Sequence, residues 1–302
     1  MRYAHVVAPR TSALVTVADT PPPPGHVAVA ARVSGVCASE LPAWTGYAGD
    51  APLRLGHELS GEVVGVGHGV HGWAAGDLVT GFADGAFADV VHVPARGLLP
   101  LPQGVPVDGF LGEPVACVLE ALSRCGDVAG RRVAVVGLGF MGLIALQALA
   151  DLGPARLVGV DPLPAARALG DGLGARETCA PDEAESAAYD LVVEFTGAAA
   201  GLRTAGRLTA AHGVLCVGGY HHSGPRELDV ELWYRGVTLV NGFTPQRHRH
   251  VAALREGLAL AGARRLTLEP LLTHTVTLDA VDAGFALHEQ RPDGFVKAVV
   301  RG

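Results

Sequence analysis

Gly137, Gly139 and Gly142 stand at GxGxxG spacing in the segment GLGFMG, a pattern that lets a backbone hold a phosphate. The residues before it, 133–136, are apolar on every side, as in a strand buried on both faces. An apolar helical segment follows from Leu143 to about Leu152, and a second strand from Arg156 ends at Asp161. Gly137 allows the tight turn, Gly139 the approach of backbone to a pyrophosphate, and Gly142 close packing of helix on sheet. Phe140 and Met141 sit at the helix start, where unpaired N–H groups face the phosphates. Asp161, nineteen residues after Gly142, is placed to accept hydrogen bonds from the adenosine ribose hydroxyls. A carboxylate there repels a 2′-phosphate, so NAD is the expected dinucleotide. A glycine-rich turn in some other doubly wound domain is the alternative. A membrane span also comes to mind, because 133–150 carry no formal charge, but three glycines in six residues argue against it.

Cys37, His57, Glu58 and Glu113 form a second constellation, of the soft and hard donors that Zn²⁺ accepts. Taken alone they read more readily as a buried thiol, a hydrogen-bonded histidine and a helix-start acid. HisGluLeuSerGly also lacks the second histidine of a metalloprotease HExxH.

The elements that must position these residues fall into two patterns. Residues 1–36 read as short strands, and Leu55–Gly67, Gly76–Thr80 and Ala88–Val93 add more, punctuated by glycines suited to turns and bulges. Residues 107–125 shift to helical spacing. From Arg131 to Asn241 strands and helices alternate, with strands at 132–136, 156–160, 190–195, 213–218 and 236–241, which predicts a doubly wound parallel sheet. A helix to about Gly262, another near 279–289 and a strand over 295–300 close the chain. The expected fold is α/β, with a dinucleotide-binding domain at 118–242 inserted into a β-rich domain made of 1–117 and 243–302.

The chain has 302 residues, 49% hydrophobic and 18% charged, with a net charge of −7. Two globular domains fit that length. Scattered Lys and Arg give no footprint for nucleic acid or an anionic membrane. No signal peptide is evident, and five cysteines without a CxxC predict no disulfide framework, so a cytoplasmic setting is expected.

The order of these segments resembles the zinc-dependent medium-chain dehydrogenase/reductase family, the alcohol and polyol dehydrogenases. GVCASE is similar to that family's GxCGSD, LGHELSGEVVGVG to GHExxGxVxxVG, GDLVTG to GDRV, and GEPVAC to the EP motif of the polyol branch. VAVVGLGFMG, EFTG, VGGY, NGF and PLLTH follow in the family's order, so the resemblance covers about Val27 to Lys297. It implies a Rossmann domain inserted into a GroES-like catalytic domain, with the reactants held in a cleft between them. Cys37 and His57 would hold one catalytic zinc, with Glu113 in the third-ligand position and Glu58 close by or exchanging into the sphere. Ser39 would relay the substrate proton and Met141 would back the nicotinamide. Val217, Gly218 and Phe243 would hold the carboxamide through backbone groups, and Lys297 would meet the pyrophosphate.

Four departures stand out. Residues 82–92 contain no cysteine, so the structural zinc lobe of the family is missing. Pro42 replaces a histidine that ends the proton relay in many relatives, Ala38 stands where the family has arginine or glycine, and Glu40 where it has aspartate. His221 and His222 follow VGGY and either touch a polar substrate or lie in a solvated loop; ArgHisArgHis at 247–250 reads as an exposed helix start. The expected function is interconversion of a secondary alcohol, of polyol, cyclitol or sugar-like type, with its ketone by a homodimer or homotetramer. The alternatives are a biosynthetic ketone or aldehyde reductase on the same site, a zinc-free quinone or enone reductase, and a nucleotide-binding sensor without turnover.

Overall fold

A computed structural model describes every residue except Asp50, His222 and Ser223. Its contacts divide the chain into two compact units, Met1–Ala116 with Leu254–Gly302, and Cys117–Ala253. The second unit runs past the expected end at residue 242 because the start of the helix Arg247–Gly262 packs with it. Arg249 Nε meets the buried Glu120 carboxylate at 2.6 Å, and the His250 ring lies against Phe243. His250 is buried, so this helix start is not wholly exposed as its four basic residues suggest.

The second unit is built on six parallel strands in the spatial order Glu177–Cys179, Arg156–Val160, Arg132–Val136, Tyr189–Glu194, Thr209–Val217, Thr238–Asn241. Counted along the chain this is order 3-2-1-4-5-6, the doubly wound arrangement whose strand order reverses beside the first strand. The expected strands are there. The one not anticipated is Glu177–Cys179, three residues at the sheet edge, too short to show a period. The helix Phe140–Ala150 is buried at Gly142–Leu149, which explains a charge-free stretch without any membrane. Among the described residues no helix is long and apolar enough to cross one.

The first unit holds a mixed sheet in which His26–Gly35 is the central strand. It pairs antiparallel with Glu58–Val66 along nearly its whole length, with Val90–Pro94 over its first half and with Ala298–Arg301 over its second. Two register shifts against Glu58–Val66 bend it, as glycine-punctuated barrels require. Phe82 passes to Val90 through a short turn, where the cysteine-free segment lies. Beyond the central strand, a 3₁₀ turn Ala38–Glu40 leads into a short helix Leu41–Thr45 that the sequence pattern does not announce. Trp44 anchors that helix: its ring stacks on Phe285 at 5.2 Å, and its Nε1 donates to Asp282 at 2.7 Å. Phe285, from the helix Val281–Gln290, also meets Phe87 edge-on.

Phe285 is buried against two aromatic rings, and its removal leaves a cavity under the segment that carries Cys37 and Ser39. Phe285→Ala is expected to cost about 3–5 kcal/mol in urea unfolding. A loss well under 1 kcal/mol would mean that the stack does not hold the segment.

Candidate functional site

Gly35, at the end of the central strand, fixes what comes next. A Cβ there would collide with the carboxylate of Glu58, so only glycine leaves room for that group. Glu58 opens the neighbouring strand directly opposite Gly35, and Cys37 follows two residues on. The side-chain ligand atoms of Cys37, His57 and Glu58 all lie within 4.8 Å of one another, and among the described residues this is the one group of three or more such donors. Gly56 has φ +96°, and a Cβ on it would strike the backbone of Ala86 and Phe87; the turn that presents His57 therefore needs glycine as well.

Three groups orient these donors. Glu40 Oε1 accepts from the Gly56 amide at 2.7 Å and lies 3.0 Å from His57 Nδ1, which directs Nε2 away from it. Ser39 Oγ donates to Cys37 Sγ at 3.2 Å. Lys297 Nζ donates to Glu58 Oε1 at 2.7 Å, with both side chains almost wholly buried. Burial alone would lower the lysine pKa, but the charges of Glu58 and Cys37 hold it above the ordinary value. His57 shows the same balance: burial opposes its charge, while hydrogen bonds to Cys37 and Glu40 and the charge of Glu113 raise its pKa to about 12. Glu58 Oε2 is buried and has no hydrogen-bond partner, so one oxygen of the donor set is left for a ligand. Thiolate, imidazole and carboxylate make a donor set that fits Zn²⁺.

Glu113 lies in the first turn of the helix Gly112–Ser123, near enough for its charge to act on His57 and Lys297. Its position rests on a buried hydroxyl pair: Thr80 Oγ1 accepts from the Gly112 amide at 2.8 Å and is itself bonded by Ser60. Lys297, which the resemblance assigns to the pyrophosphate, has its ammonium against Glu58 in the first unit.

In the second unit Gly137 has φ +93°, and a Cβ on it would strike Thr196. A Cβ on Gly142 would collide with the Gly137 carbonyl, the close approach expected of the third glycine. Gly139 is the N-cap of the helix that begins at Phe140, with Met141 half-buried behind it. Asp161 Oδ2 accepts from the Leu138 amide in the glycine loop and Oδ1 from Leu163, both at 2.8 Å. The carboxylate thus caps its own turn and ties it to the loop, and each oxygen retains a second lone pair. Arg167 Nη1 rests on the carbonyls of Asp161 and Pro162. The Val217 carbonyl accepts from Gly242, the Gly218 amide donates to the Glu194 carbonyl, and the exposed Phe243 gives its amide to Asn241 Oδ1.

The sequence pattern gave no role to Glu40, Thr80 or the Glu194–His221 pair. Glu194 is fully buried and accepts from the Thr196 and Gly197 amides. Arg226 Nε donates to His221 Nδ1, which leaves the ring proton on Nε2, 3.1 Å from Glu194. His221 is therefore held by the loop itself; His222 lies outside the described residues.

Comparisons with known proteins agree with this geometry. Residues 23–103 match the alcohol dehydrogenase GroES-like domain. An L-threonine 3-dehydrogenase of Caldanaerobacter subterraneus is 26% identical, over 87% of this chain and 88% of its own length. Galactitol 1-phosphate 5-dehydrogenase of Escherichia coli is 25% identical, over 87% of this chain and 90% of its own. A protein of Sinorhizobium meliloti, described as a zinc-binding dehydrogenase and solved with NADP, superposes with a TM-score of 0.86 at 22% identity, covering 100% of this chain and 99% of its own.

His288 supports the site from behind, its Nε2 donating to the Val36 carbonyl at 2.7 Å. Burial, and then the charge of Lys297, push its pKa down to about 4. The unfolded chain takes up this proton near pH 6.5 and the native protein only near pH 4. Stability contributed by the neutral ring is therefore present above pH 6.5 and lost as pH falls towards 4, by an amount on the order of 2–3 kcal/mol. In urea unfolding at pH 7 and pH 5, His288→Gln is expected to lose less stability on acidification than the parent. An equal loss in both would show that His288 titrates normally.

Proposed function

We propose, on the premise that this chain is an oxidoreductase of the zinc-type medium-chain alcohol/polyol dehydrogenase family, that it interconverts a secondary alcohol of polyol, cyclitol or sugar-like type with its ketone. The single observation that carries the reading is the convergence of Cys37, His57 and Glu58 beside Ser39, in a chain whose second unit has the GLGFMG turn and Asp161.

In this reading Cys37, His57 and Glu58 hold one Zn²⁺, with Glu113 the carboxylate in reserve. Bound Zn²⁺ supplies Lewis acidity towards the substrate oxygen. The rest is work for the chain's own groups. Glu40 keeps the Nδ1 proton of His57 and fixes the ring. Lys297 holds Glu58 in place. Ser39 Oγ, beside the Cys37 sulfur, accepts the alcohol proton and passes it outward. Pro42 carries no proton, so the relay beyond Ser39 does not run through position 42. The amides at the N-terminus of the helix Phe140–Ala150 bind pyrophosphate, and Asp161 binds the adenosine ribose. Met141, Val217, Gly218 and Phe243 would contact the nicotinamide, whose chemistry when bound would be hydride acceptance.

The setting we infer is the cytoplasm, and the unit a homodimer or a tetramer built from such dimers. Support comes from the edge strand Thr238–Asn241, which has one neighbour in its sheet and exposes Leu239, with Trp233 and Tyr234 exposed on the preceding helix. Such an edge is a template for its own copy.

A screen of polyols and their ketones with NAD⁺ and NADH, followed by absorbance of the reduced cofactor, tests the reaction. Cys37→Ser is expected to lose most bound zinc and turnover while keeping its unfolding midpoint; fully active protein without metal would overturn the zinc reading. Asp161 leads us to expect at least about tenfold preference for NAD(H) in kcat/KM, roughly 1.4 kcal/mol. Asp161→Ser with Pro162→Arg should shrink or reverse that preference. Equal use of NADP(H) by the parent would show that Asp161 is committed to its turn alone.

A further inference from the structure

Two thiols face each other inside the second unit. Cys125 follows the helix Gly112–Ser123, Cys216 lies near the end of the strand Thr209–Val217, and both are buried. They aim at one acceptor: Cys125 Sγ is 3.3 Å and Cys216 Sγ 3.8 Å from the carbonyl oxygen of Ala121. Both sulfurs thus lie against the same carbonyl oxygen. Arg131 Nη1 donates to the Cys125 carbonyl at 3.3 Å, and Arg124 is the next residue back. The same few residues touch the loops assigned to the nicotinamide. Val217 follows Cys216, its carbonyl taken by Gly242, and Arg124 Nη1 donates to the Phe243 carbonyl at 2.8 Å. A Cβ on Gly242 would press on both Gly218 and Ala121, so these segments have no slack.

We propose that Cys125 and Cys216 are an oxidisable pair that hydrogen peroxide closes to a reversible disulfide, and that closure displaces the end of the strand Thr209–Val217 and weakens nucleotide binding. The second clause rests on the cofactor reading above.

Cys125 is the thiol that starts. Its contact with Cys216 holds its pKa below the ordinary value, and the charges of Arg131 and Arg124 add to this against the effect of burial. The same contact and burial raise Cys216. The Cys125 thiolate attacks one oxygen of the peroxide, the O–O bond breaks, and the departing hydroxide takes a proton to become water. Cys125 is then a sulfenic acid. Cys216 sulfur attacks that sulfur and gives up its proton; the S–O bond breaks and hydroxide leaves with the proton as a second water. Two thiols are oxidised and one peroxide is reduced to two waters. An S–S bond of about 2.05 Å is far shorter than a contact between two thiols, so closure turns both side chains out of their present positions in segments that have no slack.

The test uses the full-length, zinc-loaded protein, reduced and then titrated with peroxide. Free thiols are blocked with N-ethylmaleimide, and digested peptides are read by mass spectrometry. The expected result is a Cys125–Cys216 cross-link, reversed by dithiothreitol, together with about tenfold weaker NADH binding in a fluorescence titration. Cys125→Ala and Cys216→Ala, each checked by its thermal melt, should give no cross-link and keep their NADH affinity through the same treatment. Peroxide that oxidises Cys37 or Cys179 and leaves Cys125 and Cys216 open to N-ethylmaleimide would overturn the proposal. So would a cross-link with unchanged NADH affinity. If the reduced protein binds neither NADH nor NADPH, the cofactor reading fails by itself, and the cross-link still decides the thiol pair.

Discussion

The buried ion pair between Lys297 and Glu58 is the constraint on which the first unit depends. Two charges are taken out of water, and each is tolerable only because the other is there. The pair joins the strand that begins at Glu58 to the last strand of the chain, on either side of the central strand His26–Gly35. One oxygen of Glu58 is held by the ammonium and the other stays unpartnered beside Cys37 and His57. The pair is thus both a clasp across the sheet and the device that aims a carboxylate. Removing either partner alone would cost the other a charge-assisted hydrogen bond in the interior, a larger penalty than replacing both.

Much of this was legible in the sequence, and what was not has physical reasons. The glycine turn and the order of strands and helices in the second unit rest on local spacing, whereas the gathering of Cys37, His57 and Glu58 was expected only through the resemblance to a family. Local spacing survives in a sequence. The edge strand Glu177–Cys179 was illegible because three residues cannot show alternation. Glu40 looked like a departure from a family pattern; only the fold shows that its longer side chain reaches the Gly56 amide and the His57 ring at once. The bond between Lys297 and Glu58 spans most of the chain and leaves no periodic trace. His250 turned inward because a helix start rich in arginine and histidine still has one face towards its neighbours, and Phe243 stands there.

The two units also differ in how they hold polar groups. In the second, Glu194 and Asp161 each accept from an amide of their own turn and also tie that turn to a second loop, so each carboxylate stiffens the carboxyl ends of the strands. Ligands of such sheets bind at that end. In the first, the acids reach across to other segments: Glu40 to the turn at Gly56, Glu58 to Lys297. One unit presents rigid loops, and the other a cage whose members come from distant parts of the chain.

Gly35 has a consequence for how this sequence can change. Its missing side chain is the space that the Glu58 carboxylate occupies, so the fitness of a substitution at one position is set by the residue at the other. Alanine at 35 meets the carboxylate head-on while glutamate stands at 58, and only the tip of Leu111 once that residue is small. A lineage that lost Glu58 first would be free to fill position 35, and the carboxylate could not return without reversing that step. The two positions are therefore epistatic: the glycine is required for as long as the acid is kept.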